Sequence, residues 1–169
     1  MTSVIKPTIL KSDSERVPKA DFPFRHCLPV QTRFSDIDVL GHLNNNVYFT
    51  FMDLAKIDYF TTIDPSINHS LRNIDMVVVH IDCDFIAPSY FGEQLEVWTA
   101  VTRIGRGSLT LEQRIINAST GQTKSVGRTV MAGFDPAAAK GMPLNPKWIA
   151  GIEAFEQRPL RSKPDKPLI

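Results

Sequence analysis

The sequence predicts a single α+β domain in which one long helix is wrapped by a curved antiparallel sheet. Apolar residues between positions 46 and 62 recur at steps of three and four, which is the spacing of a helical face. From position 76 onward the period changes to two, which indicates consecutive strands. Because a sheet must cover its apolar face, and only this helix is apolar enough to do so, we expect the sheet to curl around it.

The first strand is predicted over Cys27 to Phe34, before a polar loop over 35–46. Two neighbouring stripes then follow helical spacing. They are Val47, Phe51, Leu54, Ile57 and Phe60, and beside them Tyr48, Met52, Ala55 and Tyr59. Together the stripes cover more than half of the circumference, so we expect the helix to be buried on several sides and to end at Asp64-Pro65.

The strand after the helix is predicted to bury every second residue. The expected buried face is Val77, Val79, Ile81, Cys83 and Phe85. Three more strands are predicted over Leu95 to Arg103, Leu109 to Asn117 and Lys124 to Phe134, separated by the Gly-rich RIGRGS and the turn ASTGQT. A short helix is expected over Pro146 to Gln157.

Composition places the chain among ordinary globular proteins. Its 169 residues are 43% apolar and 22% charged, with a formal charge of +1, which argues against a disordered, fibrous or nucleic-acid-coating protein. We expect a flexible N-terminal arm over 1–22 that can dock on the body, one domain over 23–157, and a C-terminal tail over 158–169.

Cysteine usage and hydropathy predict a cytoplasmic protein with no membrane partner. Cys27 and Cys83 lack the spacing of a metal site, and two inert thiols in a reducing compartment explain them best. No apolar run approaches the roughly 20 residues needed to cross a bilayer, and the N-terminus lacks a signal-peptide core.

The stretch DIDVLGHLNNNVY, residues 36–48, stands directly before the helix and allows several interpretations. Its Asp, Gly and Asn residues could simply form a turn and cap the helix. DIDVLG also resembles the nucleophile element of haloacid-dehalogenase-type phosphatases, but those need a parallel α/β body. A metal site on Asp36, Asp38 and His42 would place three ligands in one short loop without a further His or Cys.

A fourth interpretation is an acyl-transfer or hydrolysis site. Unpaired amides near Asn44 to Asn46, together with the positive end of the helix dipole, would face a carbonyl oxygen. Asp38 on the preceding loop would attack the carbonyl or activate water. Because aspartate is ionised at neutral pH, it would act as a base or a nucleophile and not as an acid.

The string RFSDIDVLGHLNNNVYFTFMDLA resembles the signature of hotdog-fold thioesterases of the 4-hydroxybenzoyl-CoA thioesterase-like superfamily, in which D-x-D-x-x-G-H-x-N-N-x-x-Y opens the central helix. Further similarity lies in IAPSYFGEQLEV, RIGRGSLTLEQRI and GRTVMAGFDPAAAKGMPLNP, so the resemblance spans roughly residues 25 to 150. It implies the hotdog fold, in which a sheet wraps one long helix.

The resemblance also assigns roles to residues. It implies Asp38 as the catalytic carboxylate, Gly41 as the loop glycine, and the amide of Asn45 as the group that polarises the thioester carbonyl. His42 and Asn44 would shape the loop, and Asp36 would hold it by hydrogen bonds. The remaining candidates for the substrate site are Tyr48 at the end of the motif, Asp53 on the helix as the reserve catalytic carboxylate, and Arg103, Arg106 and Ser108 for the phosphates of CoA, with Arg128 nearby.

The activity implied is hydrolysis of an acyl-CoA thioester to a free acid and CoA, without cofactor or metal. Thioesters suit such a site because their thiolate leaves without prior protonation. The family forms dimers at least, with two sites at the interface, so a homodimer or homotetramer is expected. Two alternatives stay open: a hotdog enoyl-CoA hydratase that uses Asp38 with His42, and a non-catalytic acyl-thioester binding or sensing domain.

Overall fold

One long helix lies against a curved antiparallel sheet in the computed structural model, which describes residues 5–70 and 74–161. The described part contains two α-helices, α1 (Asn45–Ile63) and α2 (Pro146–Glu156). Its strands are β1 (His26–Val30), β2 (Met76–Phe85), β3 (Leu95–Ile104), β4 (Ser108–Asn117), β5 (Thr123–Asp135) and β6 (Lys140–Gly141). The sheet order is β1-β3-β4-β5-β2, and β6 pairs with β5. The predicted fold class is confirmed.

Helix α1 begins at a side-chain cap and ends at a backbone cap. Asn44 caps its start by accepting a hydrogen bond from the amide of Asn46 at 3.0 Å, and Asp64 is the C-terminal cap. The following Pro65 starts a short 3-10 turn, as Asp64-Pro65 predicts. The helix packs along β3, from Leu95 near its start toward Ile104 near its end. The start and the end of α1 therefore lie at opposite ends of the sheet.

Only one of the two apolar stripes of α1 is fully buried. Four side chains face the sheet and are at most 2% exposed: Tyr48, Met52, Ala55 and Tyr59. The neighbouring stripe carries Leu54, which is 51% exposed, so the prediction of burial on several sides is wrong for this part of the helix. The sheet covers one side of α1, and a groove against β1 runs along the other.

The edge strand β2 also departs from the predicted pattern. Three of its apolar side chains are between 37% and 58% exposed: Val77, Val79 and Ile81. Of the expected buried face, only Cys83 and Phe85 pack against the core. The reason is that β2 pairs with β5 on one side only, and a register shift between Val78 and His80 interrupts the alternation. The Val77, Val79 and Ile81 part of the expected buried face is therefore exposed in the single chain.

The first strand is shorter than predicted. It ends at Val30, and Phe34 belongs to a 3-10 turn over Phe34–Asp36. The amide of Arg33 donates to Oδ2 of Asp36 at 2.8 Å, which turns the chain toward the loop before α1. The other strands and α2 agree with their predicted positions to within one or two residues.

The N-terminal segment packs on the sheet face opposite α1. Successive strand residues point to opposite faces, and Ile115 contacts the α1 side whereas Ile116 packs with Leu10 and Phe24. Val17 is 2% exposed. Residues 5–22 therefore contribute to a second, smaller core, while the domain boundaries at 22 and 157 stay predictions. None of the described helices is both long and apolar enough to cross a membrane.

Candidate active site

The loop before α1 is closed by its own backbone. The amide of Asp38 donates to the carbonyl of His42 at 2.8 Å, and the amide of Gly41 donates to the carbonyl of Asp38 at 3.0 Å. Gly41 has φ +77°, a conformation that favours glycine. The amide of Asn44 reaches back to the carbonyl of Asp36 at 2.8 Å. These bonds fix the loop as a tight hairpin that leads directly into the helix.

One oxygen of the Asp38 carboxylate orients the side chain. Its Oδ1 accepts from the amide of Leu40 at 2.8 Å and from the amide of His42 at 3.3 Å. Its Oδ2 has no hydrogen-bond partner among the described residues. The side chain is half-buried. The carboxylate is therefore held by one oxygen and leaves the other for a reacting molecule.

The start of α1 provides one vacant amide. Asn44 accepts from the amide of Asn46 with its side chain, and from the amide of Val47 at 2.9 Å with its carbonyl. The amide of Asn45, the first residue of the helix, meets no acceptor within the part of the chain that the structure describes. Asn45 is an exposed residue, and its amide lies at the positive end of a 19-residue helix. A carbonyl oxygen or an oxyanion is the kind of group that such an amide binds.

Sequence reasoning missed the segment that supports this loop. Ser89 is fully buried, and its carbonyl accepts from the amide of Leu43 at 2.8 Å. Its Oγ accepts from the hydroxyl of Tyr48 at 3.0 Å. Tyr48 is itself 2% exposed, and burial raises the pKa of its hydroxyl, with the bond to Ser89 opposing this effect. Tyr48 thus anchors the helix start from beneath.

His42 faces an aromatic side chain, not the Asp38 carboxylate. Its ring stacks edge-on against Tyr90 with centroids 5.2 Å apart, and its link to Asp38 runs through the main chain. Phe34 and Phe91 form a similar pair at 6.3 Å. Because its imidazole contacts Tyr90, the geometry does not favour the Asp–His pair of a hydratase.

Asp53 lies away from the loop, on the exposed side of α1. Its Oδ1 pairs with Nζ of Lys56 at 2.6 Å, and its side chain is 63% exposed. It lines a groove of about 810 Å³ between α1 and β1, together with Arg33 and Leu54. Asp53 is therefore the less well supported of the two candidate carboxylates.

The candidate phosphate-binding residues lie at the other end of the sheet. Arg103, Arg106 and Ser108 surround the turn between β3 and β4, at the end of β3 against which the C-terminal half of α1 packs. The loop that carries Asp38 lies at the opposite end, beside Leu95. One chain therefore does not bring these residues to Asp38. Arg128 is paired with Asp82 and Asp84 of β2.

The described residues contain no group of three or more His, Cys, Asp or Glu side chains arranged to hold a metal ion. Among the described residues, Asp36, Asp38 and His42 are not brought together as such a group. Asp36 and Asp38 accept hydrogen bonds from backbone amides, and the His42 ring faces Tyr90.

Comparison with known proteins agrees with this architecture. The thioesterase superfamily model matches residues 40–124, half of the chain. A thioesterase from Thermus thermophilus, solved with coenzyme A and Zn, is 31% identical with a TM-score of 0.73, covering 81% of this chain and 98% of that one.

Two further proteins are more distantly similar. A 1,4-dihydroxy-2-naphthoyl-CoA thioesterase from Synechocystis is 20% identical with a TM-score of 0.69, over 79% of this chain and 98% of that one, which shows the shared fold alone. The uncharacterized protein YsmA of Bacillus subtilis strain 168 is 26% identical over 67% of this chain and 75% of its own length. On the family match and the Thermus structure together, this chain belongs to the thioesterase superfamily, hotdog-fold hydrolases of thioester bonds.

Proposed function

We propose that the chain hydrolyses acyl-CoA thioesters, with Asp38 as base or nucleophile and the Asn45 amide as oxyanion donor. The observation that carries the proposal is the pairing of two vacant groups around one loop. Oδ2 of Asp38 lacks a partner among the described residues, and so does the amide of Asn45 at the helix start. Both are fixed by neighbouring backbone bonds, so little reorganisation would be needed on binding.

The chemistry requires only these groups and water. The thioester oxygen would accept a hydrogen bond from the Asn45 amide, which stabilises the negative charge that develops as the carbonyl carbon is attacked. Asp38 would either take a proton from the attacking water or attack the carbon itself to form a mixed anhydride that water then cleaves. In both routes the C–S bond breaks and the thiolate leaves. The acid and CoA are the products.

The choice of CoA over another thiol carrier draws on one relative. The Thermus thermophilus thioesterase, 31% identical, was solved with coenzyme A. Phosphate groups need cations, and arginine binds them with paired N–H groups. Arg103 and Arg106 are exposed and are the candidates, although they lie at the far end of their own sheet.

A homodimer would resolve that separation. β2 is an edge strand with exposed valines, and such an edge can pair with a second copy. Antiparallel pairing about a two-fold axis would place the Met76 end of the partner beside the Phe85 end of this chain. Phe85 packs against Tyr48 near the start of α1, whereas Met76 pairs with Gly133 at the far end. The turn that carries Arg103 and Arg106 in one copy would then lie at the same end of the joined sheet as Asp38 of the other copy.

The test is release of free thiol, followed with a thiol-reactive dye, from short, medium, long and aromatic acyl-CoAs. Asp38→Asn keeps the shape and the acceptor oxygen but removes the charge. We expect kcat/KM to fall at least about a hundredfold, or nearly 3 kcal/mol. Asp53→Asn is the matched control, for which we expect a change of less than about threefold because Asp53 pairs with Lys56 away from the loop.

Each alternative outcome has a clear meaning. A fully active Asp38→Asn variant would contradict the mechanism. If Asp53→Asn is inactive while Asp38→Asn is active, Asp53 is the catalytic carboxylate. If the wild-type protein binds acyl-CoA saturably but releases no thiol, the chain is a binding or sensing domain.

A further inference from the structure

The segment over 86–93 holds the helix start through a single buried residue. The Ser89 carbonyl binds the amide of Leu43, and the Ser89 Oγ binds the hydroxyl of Tyr48. Leu43 lies two residues before Asn45, and Tyr48 lies three residues after it. The vacant amide of Asn45 is therefore bracketed by two hydrogen bonds to the same serine.

A buried ion pair supports Ser89 from the sheet. Nζ of Lys124 donates to the carbonyl of Pro88 at 2.9 Å and to Oε1 of Glu93 at 2.8 Å. Oε2 of Glu93 accepts from the amide of Tyr90 at 3.0 Å. The Lys124 side chain is 3% exposed and that of Glu93 20%. Lys124 thus fixes the residues on both sides of Ser89, and breaking such a pair would leave a buried charge uncompensated.

Partial burial of Glu93 is the largest single effect and by itself favours the protonated carboxyl. The hydrogen bonds from Lys124, the Tyr90 amide and Asn117, together with the charge of Lys124, outweigh burial and lower the Glu93 pKa. The carboxylate is therefore the stable form in the fold, and both its oxygens keep their bonds. The support beneath the helix start stays charged and rigid at neutral pH.

We propose that Ser89 is a positioning residue that sets the place of the Asn45 amide relative to the Asp38 carboxylate. The inference rests on the proposed function, because it gives that amide its catalytic meaning. Ser89 does not contact either group and acts through Leu43 and Tyr48. Oxyanion donors are effective only within hydrogen-bond distance of the developing charge, so a shift near 1 Å in the helix start is costly.

Ser89→Ala is the direct test, because it removes Oγ without adding volume. The change leaves the Tyr48 hydroxyl buried without an acceptor. We expect kcat to fall roughly tenfold with KM changed less than about twofold, since the displaced donor acts mainly in the transition state. Tyr48→Phe in the same background removes the unpaired hydroxyl and is expected to recover part of the stability but not of kcat.

Tyr59→Phe is the matched control on the same helix. The Tyr59 hydroxyl is also buried and donates to Oε1 of Glu156 at 2.7 Å, near the other end of α1. We expect this variant to lose stability with kcat unchanged. If it lowers kcat as much as Ser89→Ala does at a comparable loss of stability, the effect is general loosening of the helix and the positioning role is overturned.

Amide hydrogen exchange separates this inference from the proposed function. In Ser89→Ala we expect faster exchange at the bonded amides of Leu43, Asn44, Asn46 and Val47, and no such change in Tyr59→Phe. Unchanged exchange in Ser89→Ala overturns the positioning role, and so does faster exchange with unaltered kcat. Faster exchange in a protein whose wild type releases no thiol supports Ser89 as the anchor of the helix start and refutes the proposed function instead.

Discussion

Arg114 offers a quantitative test of how the N-terminal arm is attached. Its side chain is fully buried on the sheet face opposite α1, where Nη2 donates to the carbonyl of Pro18 at 2.7 Å. The same guanidinium pairs with Oε1 of Glu112 at 2.7 Å and lies over the ring of Phe24 at 5.4 Å. Arg114→Met keeps much of the volume but leaves Glu112 without its cation and Pro18 without its donor.

Breaking a buried ion pair costs about 3 to 5 kcal/mol, and the Glu112 side chain is still 14% exposed, so we expect a loss near the lower limit, about 3 kcal/mol. The assay is urea unfolding of the wild type and variant. Adding Glu112→Gln removes the stranded charge and is expected to restore most of the loss. Arg128→Met is the matched control. Its 49% exposed guanidinium forms surface pairs, for which about 0 to 1 kcal/mol is expected.

Arg114→Met should leave thioesterase activity unchanged, because the Arg114 side chain lies on the sheet face opposite α1 and contacts neither Asp38 nor the helix start. Trypsin should cleave the arm of the variant faster than that of the wild type, since Pro18 loses its tether. A loss of less than about 1 kcal/mol, or a double variant as unstable as the single one, would refute the reasoning that the pair is buried and coupled.

Two further predictions concern pH and assembly. Burial lowers the pKa of His26 in the folded protein, although the bond to Asp58 opposes this effect. The contribution of neutral His26 to the free energy of unfolding is therefore complete above its unfolded pKa of about 6.5 and is lost as the pH falls below that value. Urea unfolding between pH 7 and 5 should therefore show a decline in the wild type that His26→Gln reduces, and parallel curves would contradict this. Val79→Lys places a charge on the exposed edge of β2 and should shift the proposed dimer toward monomer in sedimentation velocity, whereas an unchanged distribution would exclude pairing through this edge.

Sequence periodicity was sufficient to predict the helix and the succession of strands along the chain, because both depend on local spacing. It did not predict that β2 pairs with β5 and not with β3. The burial of Leu54 and Val79 was predicted wrongly because periodicity identifies an apolar face but not what covers it. For Val79 the proposed dimer would supply the cover. The same limit explains why Arg103 was grouped with Asp38, since the distance between them depends on topology.

The motif predicted the loop and its glycine, and the structure adds the partners that complete it. Ser89 was overlooked because a serine in a turn reads as exposed, and only the fold reveals its burial and its two bonds. Lys124 was likewise predicted only as a strand residue. Its role comes from Pro88 and Glu93, which lie more than 30 positions away.

The arm also determines an order of events during synthesis. Residues 5–22 are made early, but the surface they bind is built from β3, β4 and β5, and the Asp13 carboxylate meets the Thr123 amide 110 positions later. At 5 to 20 residues per second, a ribosome needs on the order of ten seconds to make that stretch. This segment therefore docks only after the strands that follow it have been made, and until then Leu10 and Val17 stay available to chaperones and proteases.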